Sequence, residues 1–294
     1  MSKFLIHVGY PKAASSFIGK WFHQNPAFQF KDFRLLGFDS TADFCNYSMC
    51  NNPKTKYFVI RDMIFSAPLA KNVHSCKNLN DYQEKICKNL HSLFPDSKIL
   101  IVTRGYESAI KAIYSEYLKQ GGRLSFKNFI ESENKTEWYP INYSFLIALY
   151  KNYFGHENVL AIPFELLKKD SKAFLNEIEI FLQIDPFEFK PDVVNRSLKN
   201  QNMTLLRILN NTLYFFLYIS GPLHKMFYNR YVRCLNNLRK IRFLILIFDL
   251  LSKIFVGANT HLDKKICIEK CSSHSVFLNN LPLFLMFKEE YFLE

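Results

Sequence analysis

The sequence predicts an α/β protein with an open parallel sheet flanked by helices and a mainly helical C-terminal part. Over the first 190 residues, short apolar segments alternate with segments whose apolar residues have helical spacing. This alternation is typical of a sheet covered by helices. The segment Lys98–Thr103 is apolar between its ends, as expected of a parallel strand that is buried on both faces. After Pro191 the pattern indicates helices and connections.

The predicted elements follow one another in regular order. Strands are predicted at residues 3–8, 56–61, 98–103 and 158–163. Helices are predicted at residues 15–22, 80–94, 108–119, 125–131, 141–154 and 171–182. Because ligands of such sheets bind beyond the carboxyl ends of the strands, the loop after the first strand and the residues after Thr103 are expected at the site. We expect a core over residues 1–200 and a helical extension over 201–294, packed on the core as one domain overall.

Composition restricts the classes of partner. The chain has 294 residues, enough for a large core, and a formal net charge of +12. A basic surface favours anionic partners such as a nucleotide or an acidic glycan. The lysines are scattered and no zinc-finger or RNA-recognition signature is present, so no nucleic-acid partner is expected. The seven cysteines contain no C-x-x-C pair, which indicates reduced thiols in a cytoplasm and no metal cluster.

Two apolar segments, 213–220 and 243–256, stand in the C-terminal part. The second is interrupted by Asp249 and Lys253, and neither reaches the roughly 20 uninterrupted apolar residues of a membrane span. We predict packing helices. Basic residues surround these segments, so peripheral contact with the inner face of a membrane stays open as the alternative. The first residues lack the apolar region of a signal peptide, and we expect a cytoplasmic location.

The loop after the first strand has the features of an anion site. Gly9 and Pro11 end the strand, and Ser15 and Ser16 are predicted to cap the following helix. Unpaired backbone N–H groups and the positive end of the helix dipole favour a phosphate-like group there, beside Lys12. The alternative is a plain connection with a solvated lysine. The Walker pattern is absent, because no Gly-Lys pair precedes the serines, and this disfavours an ATP or GTP site.

Three segments together resemble the sulfotransferases that use 3′-phosphoadenosine 5′-phosphosulfate (PAPS). GYPKAASS, residues 9–16, resembles the loop that holds the 5′-phosphosulfate in that family. Residues 103–114 resemble the segment that holds the 3′-phosphate, and residues 163–170 resemble the Y-E-x-L-x-x-D segment. Residues 119–126 and 195–197 are similar to bacterial, carbohydrate-type members. The resemblance extends over about residues 3–210.

The resemblance implies a P-loop-like fold and the transfer of a sulfuryl group from PAPS to a hydroxyl of a carbohydrate or glycolipid, without a metal. Lys12 would act in catalysis by neutralising charge on the leaving phosphate. The implied donor-binding residues are Pro11, Lys12, Ala13, Ala14, Ser15, Ser16, Arg104, Ser108 and Ser115. For Arg104 the alternative is an ion pair with a carboxylate such as Glu107. The acceptor is expected between the loop after the second predicted strand, residues 121–138 and the C-terminal part.

Two positions depart from the family pattern in the donor segments. Ala14 stands where the family has a loop glycine. Alanine disfavours a positive φ, so we expect the loop to do without a left-handed residue there. Ala112 stands where a serine normally helps to hold the 3′-phosphate. Ser108 and Ser115 lie on roughly the same helix face and are the candidates to replace it.

The position of the general base, which would take the proton from the acceptor hydroxyl, also departs from the family pattern. Relatives often carry an acidic residue or a histidine after the second predicted strand, and Met63 stands at the glutamate position. Asp62 and His74 are the candidate general bases. The alternatives are that Asp62 caps a turn or pairs with Arg61, and that His74 is a surface residue. A relative that binds nucleotide or glycan without turnover is therefore the second hypothesis.

Overall fold

A computed structural model describes seven stretches of the chain: residues 3–10, 12–32, 55–66, 78–134, 142–190, 200–219 and 278–291. The chain forms two compact units. The first unit contains residues 1–109, 137–194 and 270–294, and the second contains residues 110–136 and 195–269. The predicted organisation, a core over 1–200 with a helical extension over 201–294, stays a prediction.

The first unit is built on a parallel five-stranded sheet with the order β2-β3-β1-β4-β5. The strands are β1 (Lys3–Gly9), β2 (Phe28–Asp32), β3 (Tyr57–Asp62), β4 (Lys98–Thr103) and β5 (Val159–Pro163). The predicted fold class is confirmed. The sequence did not predict β2, because only Phe28 and Phe30 of its five residues are apolar and it lies at the edge of the sheet.

Strand β1 lies at the centre of the sheet, between β3 and β4. Its side chains at Leu5, Ile6 and Val8 are fully buried, which explains why the strand is apolar apart from Lys3 and His7. Val8 is level with Asp62 in β3, and Gly9 is level with Val102 in β4. The connections that follow β1, β3 and β4 therefore leave the sheet side by side at its carboxyl edge, where ligands of open α/β sheets bind.

Helices surround the strands along the chain. They are α1 (Ser15–Gln24), α2 (Leu79–Leu93), α3 (Tyr106–Lys119), α4 (Phe126–Asn134), α5 (Tyr143–Phe154), α6 (Phe164–Lys169), α7 (Ser171–Leu182), α8 (Asn200–Ile219), α9 (Pro282–Leu285) and α10 (Lys288–Tyr291). Single turns of 3-10 helix lie at Met63–Phe65, His156–Asn158 and Leu278–Asn280.

Local signals explain several helix ends. Asn78 accepts a hydrogen bond from the Asp81 backbone N–H at the start of α2. Asp170 accepts from two backbone N–H groups at the start of α7, as good N-cap residues do. Gly155 ends α5 with φ 87°, a conformation that glycine adopts without a steric penalty. The predicted end of this helix is confirmed.

The second unit contains the greater part of α3 together with α4 and α8. Asn210 of α8 is fully buried, and its amide donates to the carbonyls of Leu118 and Gly122 at 2.8 Å each. Phe126 and Phe129 pack on the ring of Tyr114. Within the described residues, no helix combines the length and the apolar character needed to cross a membrane. The apolar segment 243–256 lies outside the described residues.

One cysteine lies within the described residues. Cys87 of α2 is buried and free of any disulfide. Burial, together with the negative charge of Glu84, raises the pKa of its thiol to about 12. This side chain is therefore an unreactive, protonated thiol.

Candidate active site

The loop between β1 and α1 has a left-handed backbone at two residues that are not glycine. Lys12 has φ 63°, and Ala14 has φ 57° and ψ 5°. The expectation that the loop avoids this conformation at Ala14 is wrong. A residue held in the left-handed region costs on the order of 1–3 kcal/mol, so contacts elsewhere must hold the loop in place.

Three side-chain donors hold the carbonyl groups of this loop. Ser66 donates from Oγ to the carbonyl of Gly9 at 2.7 Å. Arg104 donates from Nη1 to the carbonyl of Lys12 at 2.8 Å, and Arg61 donates from Nη1 to the carbonyl of Ser15. Arg61 lies next to the end of β3, Ser66 follows β3, and Arg104 follows β4. The arrangement of the strands therefore imposes the loop conformation.

The two loop serines do not cap the helix. The N-cap of α1 is Ala14, no side chain caps it, and Ser15 and Ser16 are the first two helical residues. The predicted capping role is wrong, because the left-handed Ala14 occupies the N-cap position and both serines lie in the first turn of the helix. The first N–H groups of α1 precede its hydrogen-bond ladder, and the positive end of the helix dipole lies with them.

Ser15 carries a buried hydroxyl without a partner. Its Oγ has no hydrogen-bond partner among the described residues. Gly9 lies next to this hydroxyl, since a Cβ added at Gly9 would stand 3.5 Å from the oxygen, an ordinary contact distance. A buried hydroxyl without a partner is energetically unfavourable, and here it stands beside a helix N-terminus that favours anions. The arrangement fits a phosphate group.

Arg104 connects the loop to the start of α3. Its side chain is largely buried; besides the bond to Lys12, its Nε donates to Ser108 Oγ at 2.9 Å. Its Cζ lies 4.9 Å from the ring centroid of Phe164. Burial lowers the pKa of Arg104 from its ordinary value, and the negative charges of Glu165 and Glu290 oppose that shift. Glu165 and Glu290 are thus carboxylates whose charge acts on Arg104.

Glu165 lies at the site, although the sequence analysis assigned it no role beyond its place in the segment 163–170. Its Oε1 accepts from the backbone N–H of Gly105 at 3.1 Å and from Ser108 Oγ at 3.4 Å. Its Oε2 accepts from the hydroxyl of Tyr291 at 2.7 Å. Tyr143 donates to the carbonyl of Arg104 at 2.8 Å. The motif was a usable signal for Glu165, whereas nothing local in the sequence indicates either tyrosine.

Arg61 and His7 are neighbours in the register of β3 and β1. His7 is fully buried, and neither ring nitrogen has a hydrogen-bond partner among the described residues. Burial, helped by the positive charge of Arg61, lowers the pKa of His7 to about 3. The imidazole is therefore neutral, and it packs edge-on against Phe22.

Asp62 ends β3 and is buried. Its Oδ1 accepts from the backbone N–H of Ile64 at 3.1 Å and caps the 3-10 turn Met63–Phe65. The capping alternative is thus present in the structure, and the role of Asp62 as general base stays a prediction. Met63 is 43% exposed. Pro11 and His74 lie outside the described residues.

The structure brings together one part of the predicted donor set. Lys12, Ser15, Arg104 and Ser108 belong to the first unit and are linked around the β1–α1 loop. The Lys12 side chain and Ser16 are exposed, and Ala13 is fully buried. Ser115 belongs to the second unit; its buried hydroxyl has no hydrogen-bond partner among the described residues. Its role stays a prediction.

The second unit carries a surface pocket of about 410 Å³, lined by Arg123, Asn211, Tyr214 and Phe215. The guanidinium of Arg123 lies 3.5 Å from the ring centroid of Tyr214, a cation–π contact. Asn211 donates to the carbonyls of Arg123 and Arg207. Phe215 is 62% exposed. The pocket therefore combines a cation, an amide and aromatic surface.

Among the described residues, no group of three or more His, Cys, Asp or Glu side chains is placed to hold a metal ion.

Solved structures with a similar fold include a sulfotransferase from Alicyclobacillus acidocaldarius, with a TM-score of 0.50 and 17% identity over 71% of this chain and 92% of that chain. Mouse sulfotransferase SULT7A1 complexed with PAP matches with a TM-score of 0.42 and 16% identity, over 71% of this chain and 63% of that chain. Retinol dehydratase in complex with androsterone and inactive cofactor PAP matches with a TM-score of 0.35 and 11% identity, over 71% and 64%.

No protein-family model and no curated protein sequence matches the chain. The likeness to the Alicyclobacillus enzyme establishes the fold: the chain has the P-loop-like fold of a sulfotransferase, as predicted.

Proposed function

We propose that this protein is a sulfotransferase that moves a sulfuryl group from PAPS to a hydroxyl of a carbohydrate or glycolipid. One observation carries the proposal. The β1–α1 loop of a sulfotransferase-like fold is held in a left-handed turn, with a buried, unpartnered Ser15 hydroxyl on one side and Arg104 bonded to Lys12 on the other. Such a loop suits a nucleotide with two separate phosphate groups.

The two phosphate groups of the donor nucleotide would bind at two separate anion sites of the chain. The hydroxyls of Ser15 and Ser16 and the first N–H groups of α1 would hold the 5′-phosphate side. Arg104 would hold the 3′-phosphate, for which a planar guanidinium offers two parallel donors. When bound, PAPS supplies the sulfuryl group and the phosphate that leaves. Lys12 would place its positive charge where the leaving phosphate gains negative charge.

The transfer step requires one proton acceptor. The sulfur–oxygen bond to the phosphate breaks, a sulfur–oxygen bond to the acceptor hydroxyl forms, and the hydroxyl proton leaves. A carboxylate or imidazole at the end of β3 would take that proton. Asp62 stands there, with Oδ1 in the capping bond, and His74 is the second candidate.

The carbohydrate part of the proposal draws on the pocket in the second unit. Aromatic surface such as that of Phe215 and Tyr214 suits the apolar faces of sugar rings, and the amide oxygen of Asn211 suits their hydroxyl donors. The positive charge of Arg123 suits a sugar that carries a carboxylate or a sulfate. The volume of about 410 Å³ lies within the range of small-molecule sites.

Transfer of labelled sulfate tests the function. The wild-type protein is incubated with PAPS carrying a radioactive sulfuryl group and with separate pools of glycans and glycolipids. We expect label in at least one carbohydrate pool, a loss of at least about tenfold in Lys12→Ala, and a loss in Arg123→Ala that is confined to that pool. Label in no pool, together with no binding of the product nucleotide PAP, would refute the proposal.

A binding protein without turnover is the second candidate function. The capping bond of Asp62 and the exposed Met63 favour it, because the usual proton acceptor is missing from its position. PAP binding without transfer to any acceptor pool, unchanged by Asp62→Asn, would establish this second function.

A further inference from the structure

A buried chain of hydrogen bonds joins the C-terminal Tyr291 to Arg104. Tyr291 donates to Glu165 Oε2 at 2.7 Å. Glu165 Oε1 accepts from the backbone N–H of Gly105, the residue after Arg104, at 3.1 Å. Ser108 Oγ accepts from Arg104 Nε at 2.9 Å, and its one proton faces both the Gly105 carbonyl at 3.2 Å and Glu165 Oε1 at 3.4 Å. Tyr291 is 1% exposed and Glu165 is 5% exposed. The chain therefore runs through the interior of the first unit and ends at the guanidinium.

Tyr291 is placed to act as a donor only toward Glu165. Its oxygen lies 3.0 Å from Thr103 Oγ1. Because the phenolic proton is committed to the carboxylate, Thr103 donates to Tyr291. Burial and the negative charge of Glu165 raise the pKa of Tyr291 well above its ordinary value, so the hydroxyl keeps its proton. The carboxylate is thus held at Oε2 by Tyr291 and at Oε1 by the Gly105 N–H, with Ser108 Oγ at 3.4 Å and Lys168 Nζ at 3.6 Å from Oε1.

The same tyrosine is held rigidly by neighbouring rings. Its ring centroid lies 5.0 Å from that of Phe284, 5.9 Å from that of Tyr106 and 6.3 Å from that of Tyr143. Tyr143 in turn donates to the carbonyl of Arg104. Arg104 is therefore fixed at its main chain by one tyrosine and at its side chain through the other. Such support from surrounding residues is what keeps a binding group in position.

The guanidinium retains donors beyond these contacts. Arginine carries five N–H donors, and Arg104 uses its Nε toward Ser108 and its Nη1 toward Lys12. No other acceptor among the described residues is bonded to them. Fixing Nε and Nη1 therefore determines where the remaining donors lie, which is what bidentate recognition of a phosphate requires.

We infer that Tyr291 is a positioning residue for donor recognition: acting through Glu165 and Ser108, it orients Arg104 toward the 3′-phosphate of the nucleotide. The inference rests on the proposed function. It gives Tyr291 a role in distinguishing nucleotides. Tyr291 lies 188 positions along the chain from Thr103, to which it is hydrogen-bonded.

Binding of PAP and of AMP, which lacks the 3′-phosphate, tests the inference by calorimetry on the full chain. Tyr291→Phe keeps the ring and removes the hydroxyl. We expect its affinity for PAP to fall by about tenfold, as for a hydrogen bond to a charged group, with little change for AMP. Tyr150→Phe is the matched control, since that fully buried hydroxyl has no hydrogen-bond partner among the described residues, and its PAP-to-AMP ratio should equal that of the wild type.

Ser108→Ala provides a second test that does not depend on the folding of Tyr291→Phe. It breaks the chain at its middle and should lower the same ratio. The double variant should lose less than the product of the two single losses, because both act on one pathway. A wild-type ratio in Tyr291→Phe or Ser108→Ala, or fully multiplicative losses, would overturn the inference. A wild type without preference for PAP would instead refute the proposed donor.

Discussion

Arg104 donates a hydrogen bond to the carbonyl oxygen of Lys12 at 2.8 Å, across 92 positions of sequence. The two residues follow the neighbouring parallel strands β4 and β1. Lys12 has a left-handed backbone, which costs about 1–2 kcal/mol for an L-residue. A hydrogen bond from a charged donor contributes about 1.5–3 kcal/mol and is large enough to offset that penalty. Arg104 thus shapes the loop as well as the predicted 3′-phosphate site.

Arg104→Lys is expected to separate these two roles. A lysine keeps the charge but loses the fork of donors that binds both Ser108 and Lys12. We expect PAP affinity to fall by about 10–100-fold and AMP affinity by only a few-fold. Calorimetry measures both. Equal losses for the two nucleotides would mean that Arg104 acts only on the loop.

Ala14→Gly tests the left-handed turn. Glycine relieves a steric penalty of about 1–2 kcal/mol and adds an entropic cost of about 0.5–1 kcal/mol, so stability should rise by up to about 1.5 kcal/mol. Ala13→Gly is the matched control. Ala13 is fully buried and has no positive φ, so this change should lower stability by about 1–2 kcal/mol. Urea unfolding measures both; a larger loss at position 14 than at position 13 would contradict the turn.

The sequence predicted the parts of the fold whose signals are local. β1, β4 and β5 are apolar runs, and Gly155 marks the end of α5. The edge strand β2 was missed because only part of it is apolar. The backbone of Ala14 was predicted wrongly, since alanine's preference is overridden by contacts from Arg61, Ser66 and Arg104 that only the tertiary structure brings to the loop.

The residues of the candidate site likewise fall into those that a local motif indicates and those that only the tertiary structure brings together. Lys12, Ser15 and Arg104 were predicted from motifs that lie within single loops. Glu165 and Tyr291, 126 positions apart, were not assigned, because their hydrogen bond arises only when the C-terminal segment packs against the start of α6. Long-range pairs of this kind leave no local signal in one sequence.

Ser15→Ala is expected to weaken donor binding without destabilising the protein. The buried Ser15 hydroxyl has no partner among the described residues, so its removal should leave stability unchanged or slightly higher. Affinity for PAP and for AMP should fall together by several-fold, because both carry the 5′-phosphate. Ser97, just before β4, also has a buried hydroxyl without a partner. Ser97→Ala should change neither affinity, and equal effects at the two positions would contradict a ligand role for Ser15.

The lowered pKa of His7 leads us to expect a loss of stability in acid. The pKa of its imidazole is lowered to about 3 in the folded protein, against an ordinary value of about 6.5 in the unfolded chain. Between these values the unfolded chain binds the additional proton, so stability falls as the pH falls. The contribution should be about 2 kcal/mol between pH 7 and pH 5.

Urea unfolding at several pH values checks this prediction. His7→Leu should flatten the dependence between pH 6.5 and pH 4 relative to the wild type. Asn152→Ala, a change at an exposed position without a titrating group, should leave the dependence as it is. Parallel curves for wild type and His7→Leu would mean that the imidazole titrates alike in both states.

The most direct test of the donor site is calorimetric titration of the wild type and of Lys12→Ala with PAP and, separately, with AMP. Lys172→Ala, a change at an exposed lysine in the same unit, is the control. The proposed function predicts that PAP binds the wild type much more tightly than AMP, that Lys12→Ala weakens PAP binding by about tenfold or more, and that Lys172→Ala does not. Failure of both nucleotides to bind the folded wild type would contradict it, and the resemblance would then describe only the fold.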